Sequence, residues 1–155
     1  MPTYEGPAPG SPYFHEKNGL LLPFVRVRII QPDGRGTSID AAGQMSHKWA
    51  NAWALVDTGS GGCVIDPELV RGLELAPEGK DLETKTIVGA TSARHFRVGV
   101  LVDHADVATD SFIFLSAAER PTDHMRGVSL ILGATWLQFH RLNYDGPARR
   151  FTLTW

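Results

Sequence analysis

Ala54-Leu55-Val56-Asp57-Thr58-Gly59-Ser60-Gly61 is the stretch on which the fold of this 155-residue chain turns. Three apolar residues run straight into a carboxylate, and small hydroxyl residues and glycines alternate behind it. An apolar run that stops at glycine-rich sequence reads as a buried strand ending in a tight turn. A carboxylate at the end of such a strand must meet hydrogen-bond donors or carry a large desolvation cost. Thr58 offers a hydroxyl, and Gly59, Ser60 and Gly61 offer backbone amides that a turn poor in side chains brings close. Two readings are open on these residues alone. Asp57 either ties its own turn together, as Asp does in many turns, or is an acid/base group.

Working upstream, Gln44 to Val56 reads as the strand that delivers Asp57. Trp49 and Trp53 are four apart and also fit a helical stripe, but a strand explains the abrupt glycine turn better, which leaves both tryptophans as core or interface residues. Phe24-Val25-Arg26-Val27-Arg28-Ile29 alternates apolar and basic residues with period two, the pattern of a strand with one wet face. Pro32-Asp33-Gly34 signals a turn, and Thr37 to Ala42 a short returning strand. Residues 1–19, with repeated Pro and Gly, read as a flexible N-terminal arm ahead of one domain spanning residues 20–155.

Downstream, Pro67 to Leu73 predicts a short helix ending near Gly72. Thr84 to Val88 and Phe96 to Val102 read as strands on either side of a projecting hairpin, Gly89-Ala90-Thr91-Ser92. Asp110 to Leu115 is another strand and Glu119 to Arg126 a loop. Leu130-Ile131-Leu132 is a short apolar run closed by Gly133, and Ala134 to Phe139 predicts a short helix that sets Trp136 one turn from His140. Asn143 to Pro147 reads as a turn before a last strand, Phe151 to Trp155. Many short strands with one or two short helices, and no alternation of long strands and helices, predict a small all-β, closed, barrel-like fold.

If Asp57 is an acid/base group, one carboxylate is too few to act as both acid and base on a peptide. Two close carboxylates sharing a proton suffice, because their repulsion separates the two titration steps. The chain has one strong candidate, so a homodimer with its two-fold axis beside Asp57 supplies the second.

With these residues in place, Ala54 to Gly61 resembles the active-site segment of the retropepsin-like aspartic proteases, the single-domain relatives of the two-domain pepsins. Leu130-Ile131-Leu132-Gly133-Ala134-Thr135-Trp136-Leu137 is similar to the segment and short helix that pack behind the catalytic loop in that family, and Thr86 to Ser92 stands where its flap is expected. The resemblance covers roughly Val25 to Trp155. It implies that Asp57 is catalytic, that Thr58 links two active-site loops across a dimer axis, and that Gly59 permits the tight loop and contacts substrate backbone. Ser60 stands where relatives have Ala or Ser, with a hydrogen bond near the carboxylates. Val88, Gly89, Ala90 and Thr91 become flap and substrate-binding candidates, and Leu132 and Gly133 structural support. The implied activity is endopeptidase hydrolysis of an extended peptide or protein by a homodimer, with no metal and no organic cofactor. A protease-like dimeric peptide-binding or assembly module without peptidase chemistry is the alternative. Gly89 is the lone glycine of the hairpin, and Ala134-Thr135-Trp136 stands where viral members carry an Arg-Asn pair, so the resemblance does not imply the viral intersubunit salt bridges. For dimerisation, Phe151, Trp155 and the strand starting near Phe24 are candidates alongside plain core packing.

Competing chemistries fit less well. Fifteen basic and 17 acidic residues without long blocks of either sign leave no electrostatic footprint for nucleic acid. Cys63 is alone, which excludes an intrachain disulfide and a cysteine-rich metal site. Asp103, His104, Asp106 and Asp110 lack the glycine and closing glutamate of a calcium loop. No Gly-x-Ser-x-Gly surrounds Ser60, and no Gly-Lys-Ser/Thr follows the glycines to cradle phosphate. No apolar run reaches membrane-spanning length and the start lacks a signal pattern, so the expected location is cytoplasmic, away from the membrane.

Overall fold

In the computed structural model, the residues described are 3–8, 14–15, 20–32, 48–79, 82–86, 89–102, 112–122 and 128–155. In chain order the strands are β1 (Thr3–Gly6), β2 (Phe14–His15), β3 (Leu20–Leu21), β4 (Phe24–Ile30), β5 (Trp49–Val56) and β6 (Cys63–Ile65), followed by helix α1 (Pro67–Gly72). Then come β7 (Leu82–Thr86), β8 (Gly89–Ala93), β9 (His95–Val102), β10 (Ile113–Glu119) and β11 (Val128–Leu132), helix α2 (Ala134–Leu137), and finally β12 (Arg141–Asp145) and β13 (Arg150–Thr154).

The period-two alternation of β4 does what it predicts. Val25, Val27 and Ile29 are buried, while Arg26 is exposed and Arg28 only partly covered. Six strands close into a barrel in the order β10-β6-β11-β5-β4-β9. The pairing is mixed: β11 runs parallel to β5 and β6 parallel to β10, and the other neighbours are antiparallel. The chain is thus mainly β with two short helices, as expected. Inside the barrel Val25, Val27, Ile29, Ala54, Val56, Ile65, Val98, Val100, Leu130 and Leu132 form the core, and Trp136 joins them from α2. Burying each large side chain of this kind contributes about 1.5–3 kcal/mol.

One consequence of the strand order positions the site. β5 and β6 are joined by residues 57–62 but are not neighbours, because β11 lies between them. The connecting loop must therefore pass over the C-terminal end of β11, where Leu132 pairs with Val56.

Several expectations need adjustment. The expected arm, residues 1–19, contains β1, which pairs antiparallel with β13 in a three-stranded sheet of order β1-β13-β12. Tyr4 is buried there, its ring stacks on Phe151 at 6.2 Å, and its hydroxyl accepts from the Arg26 amide at 3.3 Å. An aromatic with a polar tip ties this end of the chain to the barrel, a tie that a count of Pro and Gly does not register. Gly89, Ala90 and Thr91 are not a hairpin tip but the start of β8, paired with β7 from Thr86↔Gly89 to Leu82↔Ala93; Val88 lies outside the described residues. Asn143, Tyr144 and Asp145 are strand β12, and the turn begins at Gly146. Phe24 and Phe151 are each 1% exposed and pack in the core. Trp49 is exposed, with the Arg28 guanidinium 4.7 Å above its ring, a cation–π contact on the barrel exterior. The expected strand from Thr37 and the Asp103 to Asp110 segment lie outside the described residues.

Candidate active site

Asp57 follows the last residue of β5. Its amide donates to the Leu132 carbonyl at 3.0 Å, which extends the β5–β11 ladder by one bond and holds the carboxylate at the barrel end. The chain then turns back on itself. The Gly59 amide donates to Asp57 Oδ1 at 2.9 Å and the Ser60 amide to the Asp57 carbonyl at 3.2 Å. Asp57 thus does tie its turn, but with one carboxylate oxygen; Oδ2 has no partner among the described residues. The residue is half-buried.

The loop is fastened to the structure beneath it. Ser60 and Gly61 carbonyls accept from the Ala134 and Thr135 amides at 2.8 and 3.3 Å, so the first donors of α2 are satisfied by the loop. At Gly133 a Cβ would stand 2.1 Å from the Gly62 oxygen and 2.6 Å from the Ser60 oxygen. The loop crosses β11 so closely that only glycine fits, which is the physical reason for a glycine closing Leu130-Ile131-Leu132. Behind the loop, Cys63 is buried with its Sγ 3.5 Å from Thr135 Oγ1, and burial pushes the thiol up from its ordinary value despite hydrogen bonds from Thr135, Gly133 and Trp136. Trp136 is fully buried and stacks on His140 at 3.6 Å.

Of the residues singled out in the sequence, Asp57, Thr58, Gly59, Ser60, Leu132 and Gly133 come together in this one loop-over-strand arrangement. Thr58 is exposed, and its hydroxyl has no partner among the described residues. Ser60 is placed differently from the expectation: its hydroxyl donates to the Gly62 carbonyl at 2.7 Å and closes the loop instead of serving the carboxylate. Gly89, Ala90 and Thr91 stand in the β7–β8 hairpin, a two-stranded sheet separate from the barrel.

A concavity of about 450 Å³ opens beside Asp57 and Thr58, lined by Leu22, Pro23, Leu55, Val56, Leu142 and Tyr144. Pro23 is held there because its carbonyl accepts from the Val56 amide at 3.0 Å. The wall from Leu142 and Tyr144 escapes a reading of Asn143 to Pro147 as a turn. The signal that reveals it is the alternation Leu142/Tyr144 set against Phe151/Leu153, two strands of period two around Gly146. Among the described residues no group of three or more His, Cys, Asp or Glu side chains is arranged to hold a metal ion.

The chain matches the aspartyl protease family over residues 46–136, a span that includes the Asp57 loop, β11 and Gly133. No curated protein matches it. Among solved structures it is similar to a retropepsin-like aspartic protease from Rickettsia conorii, at 15% identity and a TM-score of 0.45, with 86% of this chain and 94% of that chain covered. With the family match spanning more than half of its length, the chain belongs to the aspartyl protease family.

Proposed function

We propose that this protein is an aspartic endopeptidase in which Asp57 from each of two copies acts on one water molecule. The observation that carries this reading is the geometry of Asp57. It is held by Leu132 through its amide and by Gly59 at Oδ1, half-buried on the wall of a largely apolar concavity, with Oδ2 uncommitted. The uncommitted oxygen leaves Asp57 free to take a proton from water, and a second carboxyl beside it supplies the acid that the same step needs.

In the dimer one Asp57 carboxylate takes a proton from water as the oxygen attacks the scissile carbonyl carbon, and the other, protonated, gives its proton to the carbonyl oxygen. The tetrahedral diol collapses as the C–N bond breaks: the protonated carboxyl gives its proton to the leaving nitrogen and the other carboxylate takes one back from a diol hydroxyl, which restores the singly protonated pair. Thr58, exposed and without a partner in its own chain among the described residues, is available to bond across the axis. The substrate lies extended, its backbone held by strand-like hydrogen bonds from the β7–β8 hairpin, with Gly89, Ala90 and Thr91 on the strand that covers it. The chemistry calls for no metal and no cofactor.

The test is cleavage of a peptide library across pH by wild type and Asp57→Asn, with the fold and dimer state of both recorded. Wild-type cleavage in acid, with a loss of about a thousandfold or more in the folded variant, supports the mechanism. Equal cleavage by both proteins rules Asp57 out. A folded wild-type dimer that binds peptides and cleaves none at any pH favours the binding-module alternative.

A further inference from the structure

The Asp57 loop is held from below by α2, a helix of only four residues. Its first amides, on Ala134 and Thr135, donate to the Ser60 and Gly61 carbonyls, and the Thr135 hydroxyl lies 3.5 Å from the Cys63 thiol behind the loop. A helix this short is not stable through its own backbone bonds and depends on what packs against it and caps it. Whatever fixes α2 therefore also fixes the loop.

Two side chains close the far end of α2. Gln138 Nε2 donates to the Thr135 carbonyl at 2.8 Å, and His140 Nδ1 lies 3.1 Å from the Trp136 carbonyl. A carbonyl only accepts, so Nδ1 carries the proton and donates. The same imidazole stacks on the Trp136 indole, with ring centroids 3.6 Å apart and planes 22° apart, and the Trp155 ring stands 5.7 Å from it, tilted by 52°. Trp136 belongs to the core cluster that holds Val56, Cys63 and Leu132. The Gln138 bond is exposed to water, whereas the His140 bond is partly buried and backed by the stacked rings, so His140 is the firmer of the two caps.

We infer that His140 is a positioning residue for peptide cleavage: stacked on Trp136 and bonded to its carbonyl, it braces α2, and α2 sets the place of the Asp57 carboxylate. The path runs from His140 to Trp136, along α2 to the Ala134 and Thr135 amides, across to the Ser60 and Gly61 carbonyls, and from the Ser60 amide to the Asp57 carbonyl. None of these links passes through the β7–β8 hairpin or the wall of Pro23, Leu142 and Tyr144. The brace therefore acts on the chemical step and not on substrate affinity. This rests on the endopeptidase reading above and adds a residue to it.

The test compares His140→Ala, His140→Asn and His140→Phe with wild type in the full-length chain, under conditions where circular dichroism shows each to be folded. Asn keeps a donor for the Trp136 carbonyl without the ring, and Phe keeps a ring without the donor. With Ala, kcat for a peptide falls by about tenfold or more while KM stays within about twofold, and Asn and Phe each recover part of the loss. Phe139→Ala, at the exposed side chain next to His140, leaves both constants at their wild-type values.

Amide hydrogen exchange reads the same link without activity. In His140→Ala the Ala134 and Thr135 amides speed up about tenfold more than those of Val27 and Ile29 in β4, whereas a general loss of stability speeds both sets equally. A folded His140→Ala that keeps wild-type kcat, or in which both sets of amides speed up equally, overturns the brace and leaves the Asp57 mechanism standing. If wild type cleaves no peptide, the endopeptidase reading fails instead and exchange decides alone: selective loss of protection at Ala134 and Thr135 upholds the brace, and unchanged protection there overturns it.

Discussion

Among the described residues, Asp66 and His140 each couple the stability of the fold to pH. Asp66 caps α1, accepting from the Glu68 amide at 2.8 Å, and its other oxygen accepts from the Thr122 amide and hydroxyl at 3.0 and 2.8 Å. Burial pushes its carboxyl up, but these bonds and the nearby Arg71 outweigh that and hold it below the ordinary 3.8. A carboxyl lowered by folding stabilises the fold above its unfolded value and loses that contribution as pH falls through the folded one. Asp66→Ala therefore lowers the unfolding free energy by about 1–2 kcal/mol near neutral pH, measured by urea titration, and the difference from wild type shrinks in strong acid. His140 works in the same direction over a higher range. Desolvation between Trp136 and Trp155 lowers it from 6.5, against a smaller upward pull from its bond to the Trp136 carbonyl. Below 6.5 the unfolded chain holds more protons than the folded one, so stability falls as pH drops through that window. His140→Phe is expected to flatten this part of the pH–stability curve, which urea midpoints on either side of pH 6.5 will show.

At the scale of elements, the crossing of the Asp57 loop over β11 is the feature most sensitive to a single atom. Gly133→Ala drives a methyl into the Gly62 and Ser60 carbonyls and is expected to cost about 3 kcal/mol by chemical denaturation, with peptide cleavage falling further than stability because Asp57 moves with the loop. The β7–β8 hairpin makes the opposite prediction. It is its own two-stranded sheet, so replacing residues 84–91 with a short linker leaves a cooperative unfolding transition while kcat/KM for peptides drops. How much was legible in the sequence divides along the same lines. Strands whose burial alternates or is continuous, β4, β5 and β11, and a helix with a Pro start and a Gly end, α1, carry their own signatures. The Asp57 loop and Gly133 were legible as a pair through the family resemblance, and the crossing supplies the physical reason: it leaves a glycine no substitute there. The hairpin tip was misplaced because Gly89 sits in a strand, where glycine has no distinctive signal. β12 was hidden by Asn, Asp and Gly residues that belong partly to the strand and partly to its turn.

At the scale of the molecule, one closed barrel provides a single Asp57 loop and a concavity beside it, and the second half of the proposed site comes from symmetry. None of the helices among the described residues is long and apolar enough to cross a membrane. In the three-stranded sheet, β1 and β13 anchor Tyr4 and Phe151 in the core, and β12 brings Leu142 and Tyr144 beside Asp57. The central claim, that two copies share one catalytic pair, is tested most directly by co-refolding wild type with Asp57→Asn in known ratios and measuring peptide cleavage per total protein. If each active unit needs Asp57 from both copies, heterodimers are inactive and an equimolar mixture keeps about one quarter of the wild-type activity. If it keeps about one half, each chain cleaves with its own Asp57 and the shared-pair account is wrong.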